Sequence, residues 1–354
     1  MSRPIPSDAQ AEALLTGLVQ RYSPSTQERP AVAYLVNQMA DLGYAAQIDG
    51  AGNAVGVLGD GDRILLLLGH IDTVPGYIDV HREGTRLYGR GTVDAKGPLA
   101  AFTIAAARAG VRPGWRIVVV GAVEEEAATS KGARFLLPRL APTAVVIGEP
   151  SGWDRVTVGY KGRLLVDYAL ARPIGHTAGP ERSVCDAAFT FWASVQDHVE
   201  AYNASRRRMF DQLSPSLRGM HAEDDGFTET AALMLGFRLP PEFDIDALQT
   251  ALSSMAGEAQ LGFRGREPAF RAAKDTFLVR AFIKAIEAEG KRLQFKVKSG
   301  TSDMNVVGPV WNCPILAYGP GNSALDHTPQ EHIDLDTYRR AIAVLARALV
   351  DLQE

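Results

Sequence analysis

Ile64-Leu65-Leu66-Leu67-Leu68-Gly69-His70-Ile71-Asp72 is an aliphatic run that stops at a histidine and a carboxylate. An apolar run of this kind, without alternation, reads as a strand buried on both faces in a largely parallel sheet. The same grammar recurs along the chain. Ile117-Val118-Val119-Val120-Gly121-Ala122-Val123 leads into Glu124-Glu125-Glu126, and Val145-Val146-Ile147-Gly148 leads into Glu149. Ile315-Leu316-Ala317-Tyr318 leads through a glycine-rich loop to His327. In open α/β sheets, function gathers at the carboxyl ends of the strands. Two histidines and at least four carboxylates there predict a two-metal hydrolase site.

Composition narrows the class. With 354 residues, 46% of them hydrophobic, the chain can form one large domain or two smaller ones. A formal net charge of −4 gives no sign of a nucleic-acid partner. The two cysteines, Cys185 and Cys313, form no CxxC motif. That fits a reducing, cytoplasmic location and leaves nitrogen and oxygen as metal ligands. The opening Met1-Ser2-Arg3-Pro4-Ile5-Pro6 has no apolar leader. No run approaches the roughly 20 apolar residues of a membrane helix. The sequon Asn203-Ala204-Ser205 is a chance match in an unsecreted chain.

Working outward, Ser7 caps a first helix, and Val32, Leu35, Val36, Met39 and Leu42 mark a second that Gly43 ends. Strands and helices then alternate as far as Glu149, the α/β pattern. After about residue 156 the texture changes. Residues 163–171 alternate like a half-exposed antiparallel strand. Further elements are expected as a helix over 184–208, a strand over 230–238, a helix over 244–255 and a strand over 259–263. This βαββαβ-like order predicts an α+β, ferredoxin-like insertion at 157–266 within a catalytic domain made of 1–156 and 267–354. Helices over 270–289 and 336–352 complete the larger domain.

Each motif carries its own chemistry. Asp72 stands two residues after His70, so on a strand it can hold one ring nitrogen while the other meets a metal. Asp94 lies in Gly89-Arg90-Gly91-Thr92-Val93-Asp94-Ala95-Lys96-Gly97, where glycines permit tight turns and one carboxylate can bridge two cations. A phosphate cradle is disfavoured, since the lysine-containing loop signature is absent and an acid stands at the centre. Three adjacent glutamates repel one another and call for a cation or solvent. One can bind metal while its neighbour takes a proton. Pro150 ends the strand behind Glu149.

The order GHIDTVPG, GRGTVDAKG, VEEE, GEPS and DHTP resembles the M20 dinuclear zinc peptidases and deacylases over nearly the whole chain. Val93 to Phe102, Glu149 to Asp154 and Gly159 to Arg163 look most like one branch, the LysW-carrier lysine hydrolases. The resemblance implies two divalent ions per subunit, Zn2+ or Co2+. His70, Glu149, Glu126 and His327 would be terminal ligands, Asp94 the bridge, Asp72 the orienting group and Glu125 the general base. An offset of one, with Glu124 as base and Glu125 as ligand, stays open. His176 would stabilise the oxyanion, within its own chain or in a partner subunit of a homodimer. Gly300, Thr301 and Ser302 would contact the substrate carboxylate.

The implied reaction is release of lysine, and also ornithine, from a LysW-type amino-group carrier protein in cytoplasmic lysine and arginine biosynthesis. Two rivals remain at this stage. One is a small-molecule deacylase acting on acetylornithine or succinyl-diaminopimelate. The other is an inactive metal-binding scaffold or sensor. Arg206-Arg207-Arg208, the densest basic run, is the candidate docking point for an acidic carrier.

Overall fold

The computed structural model describes residues 5–176, 179 and 182–354. Residues 1–4, 177, 178, 180 and 181 lie outside them. The chain divides into two compact units. The first comprises Met1–Gly159, Ala272–Val297 and Ser302–Glu354, and the second Tyr160–Arg271 with Lys298–Thr301. These edges fall a few residues beyond the boundaries read from the sequence, and Lys298–Thr301 joins the second unit.

In the first unit the aliphatic runs form the middle of a mixed sheet. Arg63–His70 pairs in parallel with Trp115–Ala122 on one side and Ala144–Gly148 on the other. Ile315–Tyr318 extends the parallel set beyond Ala144–Gly148. Antiparallel strands flank this core, with Ala54–Leu58 beside Trp115–Ala122 and Arg155–Tyr160 beside Ile315–Tyr318. The register brings the strand ends level. His70 faces Ala122, and Gly69 faces both Gly121 and Gly148. The glycines allow close approach, since a Cβ on Gly148 would meet the Gly69 Cα at 2.8 Å. Helices Lys96–Ala109, Phe277–Ala288 and Leu335–Leu352 pack together, and the first also lies against the Arg63–His70 and Trp115–Ala122 strands.

The second unit is an antiparallel four-stranded sheet. Its order is Ser214–Asp224, Thr228–Leu239, Gly162–Pro173, Gln260–Glu267. Helices Val184–Asn203 and Ile245–Met255 complete the ferredoxin-like order, with Phe191, Val195, Leu248 and Leu252 in a core shared with Leu164, Val166, Leu235 and Phe237.

Two expected helices are shorter than the sequence suggests. The 184–208 helix ends at Asn203. The Asn203 carboxamide turns away to donate to Leu213 O at 2.8 Å and accept from Leu213 N at 2.9 Å. The helix expected over 270–289 is Phe277–Ala288, capped by Thr276, whose side chain accepts from Val279 N. Phe270–Arg271 before it is a short strand.

Candidate metal centre

His70 closes its strand almost fully buried, at 2% exposure. Its Nδ1 lies 3.0 Å from the main-chain oxygen of Asp72 and 3.4 Å from the Asp72 carboxylate. The carbonyl can only accept, so Nδ1 carries a proton and Nε2 faces the other acids. The chain is already turning after His70, which is why the carbonyl rather than the carboxylate makes the closer contact. The Asp72 carboxylate instead holds the acidic loop. It accepts from Glu125 N at 3.1 Å, Glu126 N at 3.0 Å and the Ser25 hydroxyl at 2.7 Å.

Asp94 stands between the two histidines. Its Oδ1 is 3.2 Å from His70 Nε2, and its Oδ2 is 3.0 Å from His327 Nε2. On the His70 side, Glu149 and Glu125 each place an oxygen 4.0 Å from Nε2. On the other side, Glu126 lies 2.9 Å from His327 Nε2. Three groups have mutually close ligand atoms: His70–Asp94–Glu149, His70–Glu125–Glu126 and Asp94–Glu126–His327. All five sequence-read ligands therefore meet at one place, with Asp94 common to two groups.

The acidic triplet splits by direction. Glu124 adopts a left-handed backbone, φ 59°, and its amide donates to Glu28. Its carboxylate accepts from the Thr129 hydroxyl at 2.8 Å and pairs with Lys131 at 3.3 Å, away from the histidines. Glu125 and Glu126 point inward. Glu125, not Glu124, is therefore the acid of the triplet that comes within 4.0 Å of His70 together with Glu149.

The crowding is visible in the proton affinities. Burial and the neighbouring carboxylates Glu149, Asp303 and Glu126 push Glu125 well up, against the pull of His70. Burial and Asp94 raise Glu126. Hydrogen bonds donated to Asp94 and Glu126 push His327 up to about 11. Burial works against His70, yet Glu125, Asp72 and Asp94 still hold it well above the ordinary imidazole value. Asp94 is held down by the two histidines despite burial. The cluster thus has an excess of carboxylate that protons or cations must balance.

The remaining expected residues lie elsewhere. Ser302 is buried in the first unit and caps the short helix Asp303–Val307. Gly300, Thr301 and His176 belong to the second unit. There the Thr301 hydroxyl accepts from Arg238 at 2.8 Å and donates to Lys161 O at 3.0 Å. The Thr301 hydroxyl is thus held between Arg238 and Lys161, and the Ser302 hydroxyl accepts from Met304 N at 3.2 Å. His176 is exposed and lines a cavity of about 540 Å³ with Arg172, Arg182, Asp186 and Glu229.

Several buried charges around the centre escaped the sequence reading. Glu28 receives the Thr26 and Glu124 amides at 2.8 and 3.2 Å. Lys96, wholly buried and lowered by that burial to about 7, donates to Arg21 O at 2.8 Å. Arg90 and Glu331 form a buried ion pair at 2.8 Å. The glutamate four residues beyond His327 was the available signal for this pair, but an isolated acid in a polar stretch reads as solvated.

A family model described as "Peptidase family M20/M25/M40" matches residues 66–351. The chain belongs to this family. It is accordingly a metal-dependent hydrolase of amide bonds. Among curated relatives, the LysW-lysine hydrolase of Deinococcus radiodurans is 43% identical, with 99% of each chain covered. A putative LysW-lysine/LysW-ornithine hydrolase of Thermococcus kodakarensis is 38% identical, covering 96% of this chain and 91% of that one. The fold is similar to an M20 metallo-carboxypeptidase of Sulfolobus solfataricus, with a TM-score of 0.78, 19% identity and coverage of 96% and 98%. Human carnosine dipeptidase 1 is similar at a TM-score of 0.76, 15% identity and coverage of 98% and 97%.

Proposed function

We propose that this chain hydrolyses the amide joining lysine to a LysW-type carrier protein, with ornithine as a second released amino acid. Full-length likeness to relatives named for that activity supports the substrate. The observation that carries the chemistry is Asp94, whose two carboxylate oxygens face two different histidines.

The donor set fits two divalent ions. His70, Glu149 and Asp94 would hold one, and His327, Glu126 and Asp94 the other. Imidazole and carboxylate donors suit zinc and also accept cobalt. When bound, such ions polarise the scissile carbonyl and lower the pKa of a water to about 7. Asp72 sets the ring of His70 and holds the amides of Glu125 and Glu126, so ligand and base are fixed from one carboxylate. Glu125, kept unusually basic for a carboxylate by burial and its neighbours, takes a proton from the attacking water. The water oxygen joins the amide carbon, the C–N bond breaks, and Glu125 returns the proton to the departing nitrogen. The products are a carrier carboxylate and the free amine of lysine.

The wider reading is a cytoplasmic homodimer in which His176 stabilises the developing oxyanion. The test sets carrier-linked lysine beside acetylornithine with purified metal-loaded protein, following the released amino acid. Rapid lysine release with slow deacetylation is expected. The reverse ranking would assign the chain to small-molecule deacylation, and no turnover with two ions bound would favour an inactive metal-binding scaffold.

A further inference from the structure

Glu331 is fully buried in the first unit. Its Oε1 accepts from Val93 N at 2.9 Å and Asp94 N at 3.1 Å, and its Oε2 accepts from Arg90 Nη1 at 2.8 Å. Arg90, 7% exposed, also donates from Nη1 to Thr328 O at 3.2 Å and from Nε to Gly76 O at 2.9 Å. The main-chain oxygen of Glu331 accepts from Gly89 N at 3.3 Å. One ion pair therefore grips three loops: the one after Asp72, the one holding Asp94, and the one holding His327.

Two of the gripped loops, those of Asp94 and His327, meet at the metal centre. Asp94 Oδ2 and His327 Nε2 are 3.0 Å apart, and His327 has a left-handed backbone with φ 62°. A non-glycine residue holds that conformation only where its surroundings over-determine it. Arg90 binds the carbonyl of the next residue, and Glu331 binds the amide of Asp94 itself. Neither side chain is among the ligating groups.

We infer that Arg90 and Glu331 form a positioning clamp that sets the Asp94 bridge against His327 and so fixes the affinity of the ion on the His327–Glu126 side. The inference rests on the two-metal reading. A buried charge pair of this kind is weak evidence for stability by itself, but its hydrogen bonds point at the loops that carry two ligands. Outer partners of metal ligands typically change affinity about 10–100-fold when altered.

The experiment is metal titration against a chromophoric chelator, with folding checked by circular dichroism. His327→Ala first marks which binding step belongs to that side. Glu331→Gln keeps an acceptor for the two amides but removes the charge that holds Arg90. It should weaken the marked step about 10–100-fold and leave the other unchanged. Arg90→Lys keeps a buried cation but loses the fork reaching Gly76 and Thr328, and should weaken the same step. In His327→Ala, the added Glu331→Gln change should have no further effect on the remaining ion, as expected of coupled residues. Folded variants that bind both ions as the parent does, or that weaken both steps equally, would overturn the clamp. A parent chain that binds no ion would overturn the two-metal reading instead.

Discussion

The two units place their polar groups by opposite means. In the first, Arg63–His70, Trp115–Ala122 and Ala144–Gly148 are buried along nearly their whole lengths, and the charges stand at or just beyond the strand ends. In the second, Gly162–Pro173 alternates between buried and exposed, and Ser214–Asp224 is mostly exposed. A carboxylate on that open sheet meets its partner in solvent. Asp167 pairs with Arg264 at 2.7 Å while the two remain 49% and 44% exposed, an arrangement worth about 0–1 kcal/mol. Glu125, beyond the end of a buried strand, is forced well above its usual range. Concentrating charge at strand ends in a dry setting makes groups that exchange protons and hold cations. Spreading it along a wet face makes solubility and contacts.

The hardest test of this contrast falls within three adjacent residues. Glu125→Gln should retain both ions yet lose turnover by about 10²–10⁴-fold, because only proton transfer is removed. Glu124→Gln should leave turnover near the parent's, since its carboxylate serves Thr129 and Lys131. Kinetics with metal content measured on the same samples decides the matter. Base-like loss in Glu124→Gln, with loss of metal in Glu125→Gln, would move the assignment by one residue.

The proton affinities sharpen the comparison. In the metal-free chain His327 rises from 6.5 to about 11, His70 rises, and Glu125 and Glu126 rise from 4.5. Each raised group binds its proton more tightly folded than unfolded. Its stabilisation is full below the unfolded pKa and fades as pH climbs toward the folded one. Asp72 and Asp94 are lowered from 3.8, so their contribution is complete above that value and adds no slope at neutral pH. Metal-free protein should therefore lose stability as pH rises above about 6.5, with the His327 contribution not exhausted until about pH 11. Metal affinity should rise by about tenfold per pH unit for each proton displaced. Melting curves with and without chelator check both, and the gap between them should widen with pH. A gap that narrows would mean the ligands are not protonated in the metal-free state.

Legibility followed the same divide. His70, Glu149 and the acidic triplet could be read because buried strands write themselves as aliphatic runs and their ends are easy to find, while Asp94 and His327 were marked by the glycine-rich stretches before them. Ser214–Asp224 left no such trace, for its residues are mostly exposed and its strand character comes from pairing with Thr228–Leu239. The overlong helix after Val184 arose because Ala204 to Arg208 contains acceptable helix formers. The stop lies in the Asn203–Leu213 hydrogen bonds, ten residues apart in sequence. Glu331 and Glu28 were invisible for a related reason. A buried acid differs from a solvated one only through partners that the fold brings to it.

The smallest expected effect concerns the exposed region, where the helix correction changes the docking hypothesis. Arg206, Arg207 and Arg208 lie beyond the end of Val184–Asn203 and do not share a helix face. Arg206 stacks its guanidinium 3.6 Å from the Tyr202 ring centroid and donates to Tyr202 O, so it is occupied in holding the turn. Arg207 and Arg208 are exposed, beside Met209 at 70% exposure. Reversing these two charges should slow capture of carrier-linked lysine about tenfold at low salt. The effect should fade near 0.15 M, where screening acts beyond about 8 Å. Hydrolysis of a small N-acyl lysine should stay as it was, because a compact substrate gains little from distant charge. Arg206→Ala is the control for folding and should slow both substrates if it disturbs the turn. Equal slowing of both substrates by the Arg207 and Arg208 reversal would reassign the pair to the fold of the second unit. No change on either would move the docking surface elsewhere on the molecule.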